Sequence, residues 1–397
     1  FVAGRGGSNA SSESNQVRDT TVRLDSSIGF GFGHVVSAGG EVTALDVDYG
    51  LRREVFRKTG DGSAYTSGLV DLLNQAGSGR LITVFAQDGW RPVAKLVLSP
   101  GVRVTHYDLT GSGYVEPRLG LTYQVTSLLQ LKGGWGIDHQ MANRITREDL
   151  TQGDREFWSL ADGKTVPVAR ARQVVAGGSI QTAELLFDFE VYHRRLDDLT
   201  LFAPRLFPGV APEEGKSLFY YGTGRAVGLE LLLQWKSSRN TLWTSYTSSR
   251  IEYTYPALEA DTFPASHDQA HEFKIADTVR IAGRWSLSAA GVAGTGRPYT
   301  PGLAVEPVWF PSGATVYRVT SGAKNSERLP PYNRLDLSTQ WEFQLRGFKS
   351  TVGATVFNVY DRKNIWYRTY QTVGTWLTAN DVTLMRRALN VFVKLGF

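Results

Sequence analysis

The chain has 397 residues with 43 Lys and Arg against 38 Asp and Glu, a formal charge of +5, and this basic excess is scattered rather than blocked, which gives no nucleic-acid face. With no Cys, disulfide scaffolds, thiolate zinc sites and cysteine nucleophiles are excluded. No run approaches the ~18 apolar residues of a membrane helix, while 42 Gly and 12% aromatic residues interrupt the helical windows and favour an all-β chain.

Residues 1–16, FVAGRGGSNASSESNQ, lack a basic-then-apolar signal layout and read as a loop. From there, period-two alternation predicts fifteen strands, roughly 17–33, 40–56, 80–89, 94–107, 114–125, 128–138, 168–181, 184–200, 221–236, 241–255, 269–282, 285–297, 332–345, 348–366 and 383–397. At 227–236, Val227, Leu229, Leu231, Leu233 and Trp235 share one face, against Gly228, Glu230, Gln234 and Lys236, with Leu232 the exception. At 334–345, Leu335, Leu337, Trp341, Phe343 and Leu345 oppose Arg334, Asp336, Ser338, Gln340, Glu342 and Gln344. At 385–397, Leu389, Val391, Val393, Leu395 and Phe397 oppose Arg386, Ala388, Asn390, Lys394 and Gly396, with Phe392 the exception. A soluble sheet with one wet face shows the same stripe, so the stripe alone leaves sandwich and barrel open.

The connections separate them. Short ones at Gly89–Val93, Thr126–Ser127, Thr182–Ala183, Ser237–Asn240, Gly283–Arg284 and Arg346–Gly347 alternate with long ones at 57–79, 139–167, 201–220, 256–268, 298–331 and 367–382; only 108–113 is short on the long side. Tight turns on one side and long loops on the other belong to an up-and-down membrane barrel, whereas a Greek-key sandwich or propeller would mix them. Trp90, Trp235, Trp243, Trp285 and Trp341 all fall near inferred short turns, where an indole sits well at a membrane–water interface; sheet ends of soluble proteins also bury aromatics. In a barrel, Lys132, Glu230, Arg334, Asp336, Glu342, Arg386 and Lys394 would face the lumen; in a soluble sheet they would form the solvated face.

Several motifs in sequence order carry a family resemblance. Phe85-Ala-Gln-Asp-Gly-Trp90-Arg-Pro92, then Leu96-Val-Leu98 and Gly101-Val-Arg103, resembles a QDxWxP turn followed by an LxLxxGxR strand. Val115–Tyr123, Gly224–Leu231, Gly296-Arg-Pro-Tyr-Thr-Pro301, Pro331–Leu337 and Phe357-Asn-Val-Tyr-Asp361 resemble later signatures, and Leu389–Phe397 resembles a terminal strand ending in Phe. Over roughly 80–397 the chain resembles the C-terminal part of the barrel of a TonB-dependent outer-membrane receptor. The resemblance implies a transmembrane antiparallel up-and-down β-barrel, the C-terminal ~15 of about 22 strands. It divides the chain into an extracellular loop remnant at 1–16 and a partial barrel at 17–397, without plug domain or first strands. It implies import of a scarce bulky ligand of the siderophore, cobalamin or glycan class, with no cofactor and no covalent chemistry. Implied partners are outer-membrane lipid, the receptor's own plug domain and the TonB complex, the barrel-assembly machinery reading Phe397, and a surface lipoprotein; nucleic acid is not among them. A passive porin or adhesin barrel and a soluble all-β glycan-binding protein are the alternatives.

Other groupings read as structural. His267 and His271, four apart, would be zinc ligands on a helix, but in a strand they stand ~13 Å apart. His193 with Arg194, Arg195, Asp197 and Asp198 reads as a solvated ion-pair cluster at a strand end. The Gly-rich runs at 222–228 and 293–299 lack the Lys-Ser/Thr of a phosphate loop, and no Ser-His-Asp grouping sits on an elbow.

Overall fold

The computed structural model describes residues 11–58, 65–149, 154–203, 218–309, 315–345 and 347–395. Fifteen long strands lie in one sheet of nineteen. They are β1 Ser11–Phe30, β2 His34–Lys58, β3 Tyr65–Asp88, β4 Leu96–Tyr107, β5 Ser112–Gln124, β6 Leu129–Gln140, β7 Ala169–Gln181, β8 Leu185–Phe202, β9 Phe219–Lys236, β10 Asn240–Thr254, β11 His271–Ala282, β12 Trp285–Gly294, β13 Tyr332–Leu345, β14 Phe348–Phe357 and β15 Ala388–Leu395. Each pairs antiparallel with the next in sequence. Among the described residues no ladder joins β15 to β1.

The meander follows from the two-residue side-chain period, which sets every register. A shift of one residue would move a whole apolar stripe to the other face. Leu131, Gly178, Phe189, Leu231, Tyr246 and Phe273 stand opposite one another across six strands, as do Leu337, Val356 and Leu389. The outward face is left largely uncovered: Leu131 is 40% exposed, Phe273 43% and Leu389 69%. The total accessible surface is 23412 Å², against ~15,000 Å² for a compact soluble chain of this mass. An apolar stripe that continues from strand to strand and is covered by nothing is what lipid, not water, accommodates.

Boundaries differ from the sequence reading in several places, and the expected loops 139–167 and 298–331 also carry hairpins. β1 starts at Ser11, so 11–16 are strand and not loop, because the polar run pairs residue by residue with β2. The expected long loop at 57–79 is mostly strand, since β2 and β3 pair as far as Lys58 opposite Tyr65; Gly and Asn within the run concealed it. β14 stops at Phe357, because Asn358 takes a left-handed φ of 51°. The expected loop at 367–382 is itself a hairpin, Ile365–Val373 with Trp376–Thr383.

Candidate functional site

The inner wall carries the polar rows. Lys132, Gly177, Glu190, Glu230, Thr247 and Glu272 stand opposite one another across β6–β11. Lys132 Nζ lies 2.9 Å from Asp188 Oδ2 and also bonds Glu190. Gly177 stands between them, and a Cβ there would meet the Phe189 carbonyl oxygen at 2.2 Å; its bare backbone lets the lysine stem cross to the second strand over. Arg334 Nε donates to Asp336 Oδ1 at 2.8 Å, above the Phe357 ring. Glu342, Thr351 and Lys394 share one row, with the threonine between the two charges.

Arg386 lies elsewhere. It precedes β15, where its Nε donates to Asp361 Oδ1 at 2.8 Å and the Arg387 N–H donates to the same oxygen. Holding that carboxylate from two sides keeps the segment out of the strand row. Asn358 stands beside this pair, fully buried. Its N–H donates to Asp336, and its side-chain amide donates to the carbonyls of Arg362 and Met385.

The tryptophans divide between faces. Trp285 opposes Trp341, with ring centroids 6.0 Å apart, on the face of Val352 and Val393. Trp235 opposes Leu185 and Leu242 on that same outer face. Trp90 stacks on His34 at 5.5 Å beside a short turn and opposes Leu98. Trp243 departs from the expected belt: it shares the inward row of Gln234, Ala276, Ala290 and Asp336, because alternation turns it away from Leu242. Phe397 lies outside the described residues.

Above the wall, the long connections fold inward. The hairpin Ala142–Arg147 with Arg155–Leu160 packs on the inner faces of β2 and β4 through Tyr49, Tyr107, Ile145 and Phe157. Phe157 stacks on Tyr49 at 4.1 Å and meets Phe202 edge-on at 5.9 Å. Arg147 Nη1 donates to the Tyr49 hydroxyl at 3.0 Å, which in turn donates to Glu13. Lys324, fully enclosed, reaches Glu148 at 3.1 Å and Asp154 at 3.3 Å. Burial alone would discharge this ammonium, but the two carboxylates hold its pKa above the ordinary value. The loop after β10 is tied down by Asp268, which accepts from the Ile251 N–H at 2.8 Å and pairs with Arg328.

These connections surround a cavity of about 640 Å³ lined by Arg155, Arg297, Tyr299, Trp366, Tyr367 and Arg368 together with the carboxylates Glu13, Asp149, Asp154 and Glu156, with His267 on one side. Arg155 pairs with Glu13 at 3.5 Å. Arg368 forks onto Asp381 at 2.6 and 3.0 Å and donates to the Tyr299 hydroxyl. Arg297 is exposed and has no ion pair among the described residues. Gly296 places it: a Cβ there would fall 1.5 Å from the Leu329 carbonyl oxygen, so only glycine lets the two loops touch. His267 opens on the cavity, yet desolvation by the surrounding loops pushes its imidazole pKa down, aided by Arg297 and opposed by Glu156. His271 instead bonds the Tyr246 hydroxyl on the outer face at 2.9 Å. Among the described residues no group of His, Asp and Glu is placed to hold a metal ion.

A wall of this topology, with an uncovered apolar exterior, a charged interior and loops folded over one end, can be compared with known proteins. The family described as TonB dependent receptor-like, beta-barrel matches residues 2–359. The chain belongs to that family. It lies in the bacterial outer membrane. The ferric yersiniabactin uptake receptor FyuA from Yersinia pestis superposes with a TM-score of 0.64 at 14% identity, over 98% of this chain and 56% of that one. The ferric citrate transporter FecA, unliganded, gives 0.59 at 12% identity over 96% and 54%. The outer membrane transporter YddB from Escherichia coli gives 0.58 at 12% identity over 98% and 55%. At such identities the likeness is one of fold, and this chain of the TonB-dependent receptor-like family spans about half the length of those structures. No match is found among curated proteins.

The sequence held signals for part of this cavity. Arg297 stands inside the Gly296–Pro301 motif, whose glycine is the visible clue. Arg155 and Arg368 had none, because their neighbours come from connections far apart in the chain.

Proposed function

We propose that this chain forms the lumen wall and the ligand-capturing mouth of an outer-membrane receptor that imports a bulky, anion-bearing chelate of the siderophore class. The observation that carries the reading is the cavity at the looped end, where the Arg297 guanidinium stands among Trp366, Tyr367 and Tyr299 with no carboxylate partner of its own among the described residues. An exposed guanidinium beside aromatic rings suits a ligand with carboxylate or phenolate oxygens on a flat body. The ferric yersiniabactin and ferric citrate receptors of the same fold support this class over cobalamin or glycan. On this reading a plug domain and the TonB complex gate and power the import. The barrel-assembly machinery reads the terminal strand with Phe397, and a surface lipoprotein is a further partner of the loop side.

The test uses the receptor expressed from its intact gene in iron-starved cells, offered radiolabelled iron as citrate, catecholate or phenolate chelates, with cobalamin and maltodextrin as comparators. Arg297→Ala should weaken uptake of the preferred chelate by about 10–100-fold in apparent affinity, the value of one charge-assisted hydrogen bond. Uptake of cobalamin or maltodextrin in place of iron would overturn the chelate reading.

A further inference from the structure

The cavity at the mouth is lined by both signs of charge, and their balance restricts what can enter. Four carboxylates face it around the inward hairpin: Glu13, Asp149, Asp154 and Glu156. Each has a cation beside it. Glu13 pairs with Arg147 at 3.4 Å and with Arg155 at 3.5 Å, and Asp149 lies 4.0 Å from the same Arg147. Asp154 meets Lys324 at 3.3 Å, which also serves Glu148. Glu156 meets Arg144 at 3.0 Å. Among the described residues, this group therefore carries one more carboxylate than cations. The later connections supply Arg297 and Arg368, and Asp381 answers only Arg368. His267, which desolvation keeps uncharged, adds nothing. The site as a whole is neutral, and Arg297 is its one cation without a carboxylate beside it.

A ligand held here exchanges its hydration for these groups. Arg297 can take up one negative charge through charge-assisted hydrogen bonds. A second or third negative charge meets no free cation and lies against the carboxylate oxygens of Glu13, Asp154 and Glu156, which stay partly exposed. Recruiting Arg155 or Arg368 gives no relief, because it strands Glu13 or Asp381 in turn. Charges left unpaired out of water, or set against like charge, turn a ligand away even where its shape fits. The rings of Tyr299, Trp366 and Tyr367 offer the rest of the surface to an uncharged body.

We infer that the mouth selects its chelate by charge: the whole ferric complex carries at most one negative charge, and the carboxylates around the inward hairpin exclude a trianionic tris-catecholate. This rests on the chelate reading of the cavity and narrows it. The test uses the receptor expressed from its intact gene in iron-starved cells without other iron uptake. Radiolabelled iron is offered as a neutral tris-hydroxamate, as a phenolate–carboxylate chelate of single negative charge and as a tris-catecholate. One of the first two should be taken up with an apparent affinity at least tenfold better than the tris-catecholate. The two halves of one exposed ion pair then separate charge from loop damage. Glu156→Gln, which makes the site more positive, should shrink that ratio several-fold. Arg144→Gln, which makes it more negative, should widen it. Damage to the hairpin would move both variants the same way. Preference of the parent for the tris-catecholate, or shifts of the two variants in the same direction or not at all, would overturn the charge filter while leaving the chelate reading in place. Uptake of cobalamin or maltodextrin with none of the three iron chelates would overturn both.

Discussion

Phe157 offers the sharpest test of how the looped end is held. Its side chain is fully buried between Tyr49, on the inner face of β2, and Phe202, at the end of β8, so it fastens the inward hairpin Ala142–Leu160 to two distant parts of the wall. Truncation to Ala removes most of the 150–250 Å² that a phenyl ring buries, worth ~4–6 kcal/mol at ~25 cal/mol per Å². Partial collapse of the site brings this to the ~3–5 kcal/mol usual for Phe→Ala. The cost falls on docking of the hairpin and not on the barrel ladders, because the strands keep their own pairings. Hydrogen exchange of the intact receptor should show amides of 142–147 and 155–160 losing protection by about 10²–10³·⁵, the same energy expressed as an opening equilibrium at ~1.4 kcal/mol per decade. Amides of β5 and β6 should not change. Glu156→Ala, which removes the exposed pair to Arg144 at 3.0 Å, should cost ~0–1 kcal/mol. Unchanged protection in the Phe157 variant, or equal effects of the two substitutions, would refute the docking argument.

Two further outcomes are expected. Leu231 stands midway between Val227 and Trp235 on the outer stripe, so Leu231→Arg should destabilise folding into lipid vesicles by ~2–4 kcal/mol, while Glu230→Gln, on the inner face, should leave the denaturant midpoint where it was; equal shifts would show that neither face meets lipid. His267 has a depressed pKa in the folded loops, so an undocked loop binds its proton first: docking is fully stable above the unperturbed value of about 6.5 and weakens as pH falls from there towards the folded value. Protease sensitivity of 255–270 should rise on acidification through that window, and His267→Gln should flatten the profile.

Much of the wall could be read directly from the chain because its cause is local. Alternation fixes which residues share a face, and lipid enforces it over much of β8–β15, so Leu231 and Glu230 are separable from the sequence. The signal failed where alternation was muted. Ser11–Gln16 and Tyr65–Asn74 are strand by pairing with β2, not by any stripe of their own. The turn at Asn358 and the hairpin at 365–383 were missed because a Val-, Tyr- and Trp-rich run looks like continuing strand until Asn358 turns left-handed. Arg386 illustrates a different limit: its parity was right for a lumen row, but a carboxylate 25 residues earlier, Asp361, outcompeted the ladder. The cavity is the least legible part, since Arg155, Arg297 and Arg368 meet only after three long connections have folded over one another.

Asn358 has a consequence for how such a protein diversifies. The chain leaves β14 and returns to β15 through one knot, where a single amide grips Arg362 on the way out and Met385 on the way back. The excursion leaves and returns at that point, and the pairing of β14 with β15 is set below it. Lengthening, shortening or replacing the excursion 363–384 changes only a loop whose closure cost grows with the logarithm of its length, while the registers of the wall stay fixed. The mouth, with Trp366, Tyr367 and Arg368 on that excursion, can therefore change its chemistry in large steps without the barrel having to be rebuilt.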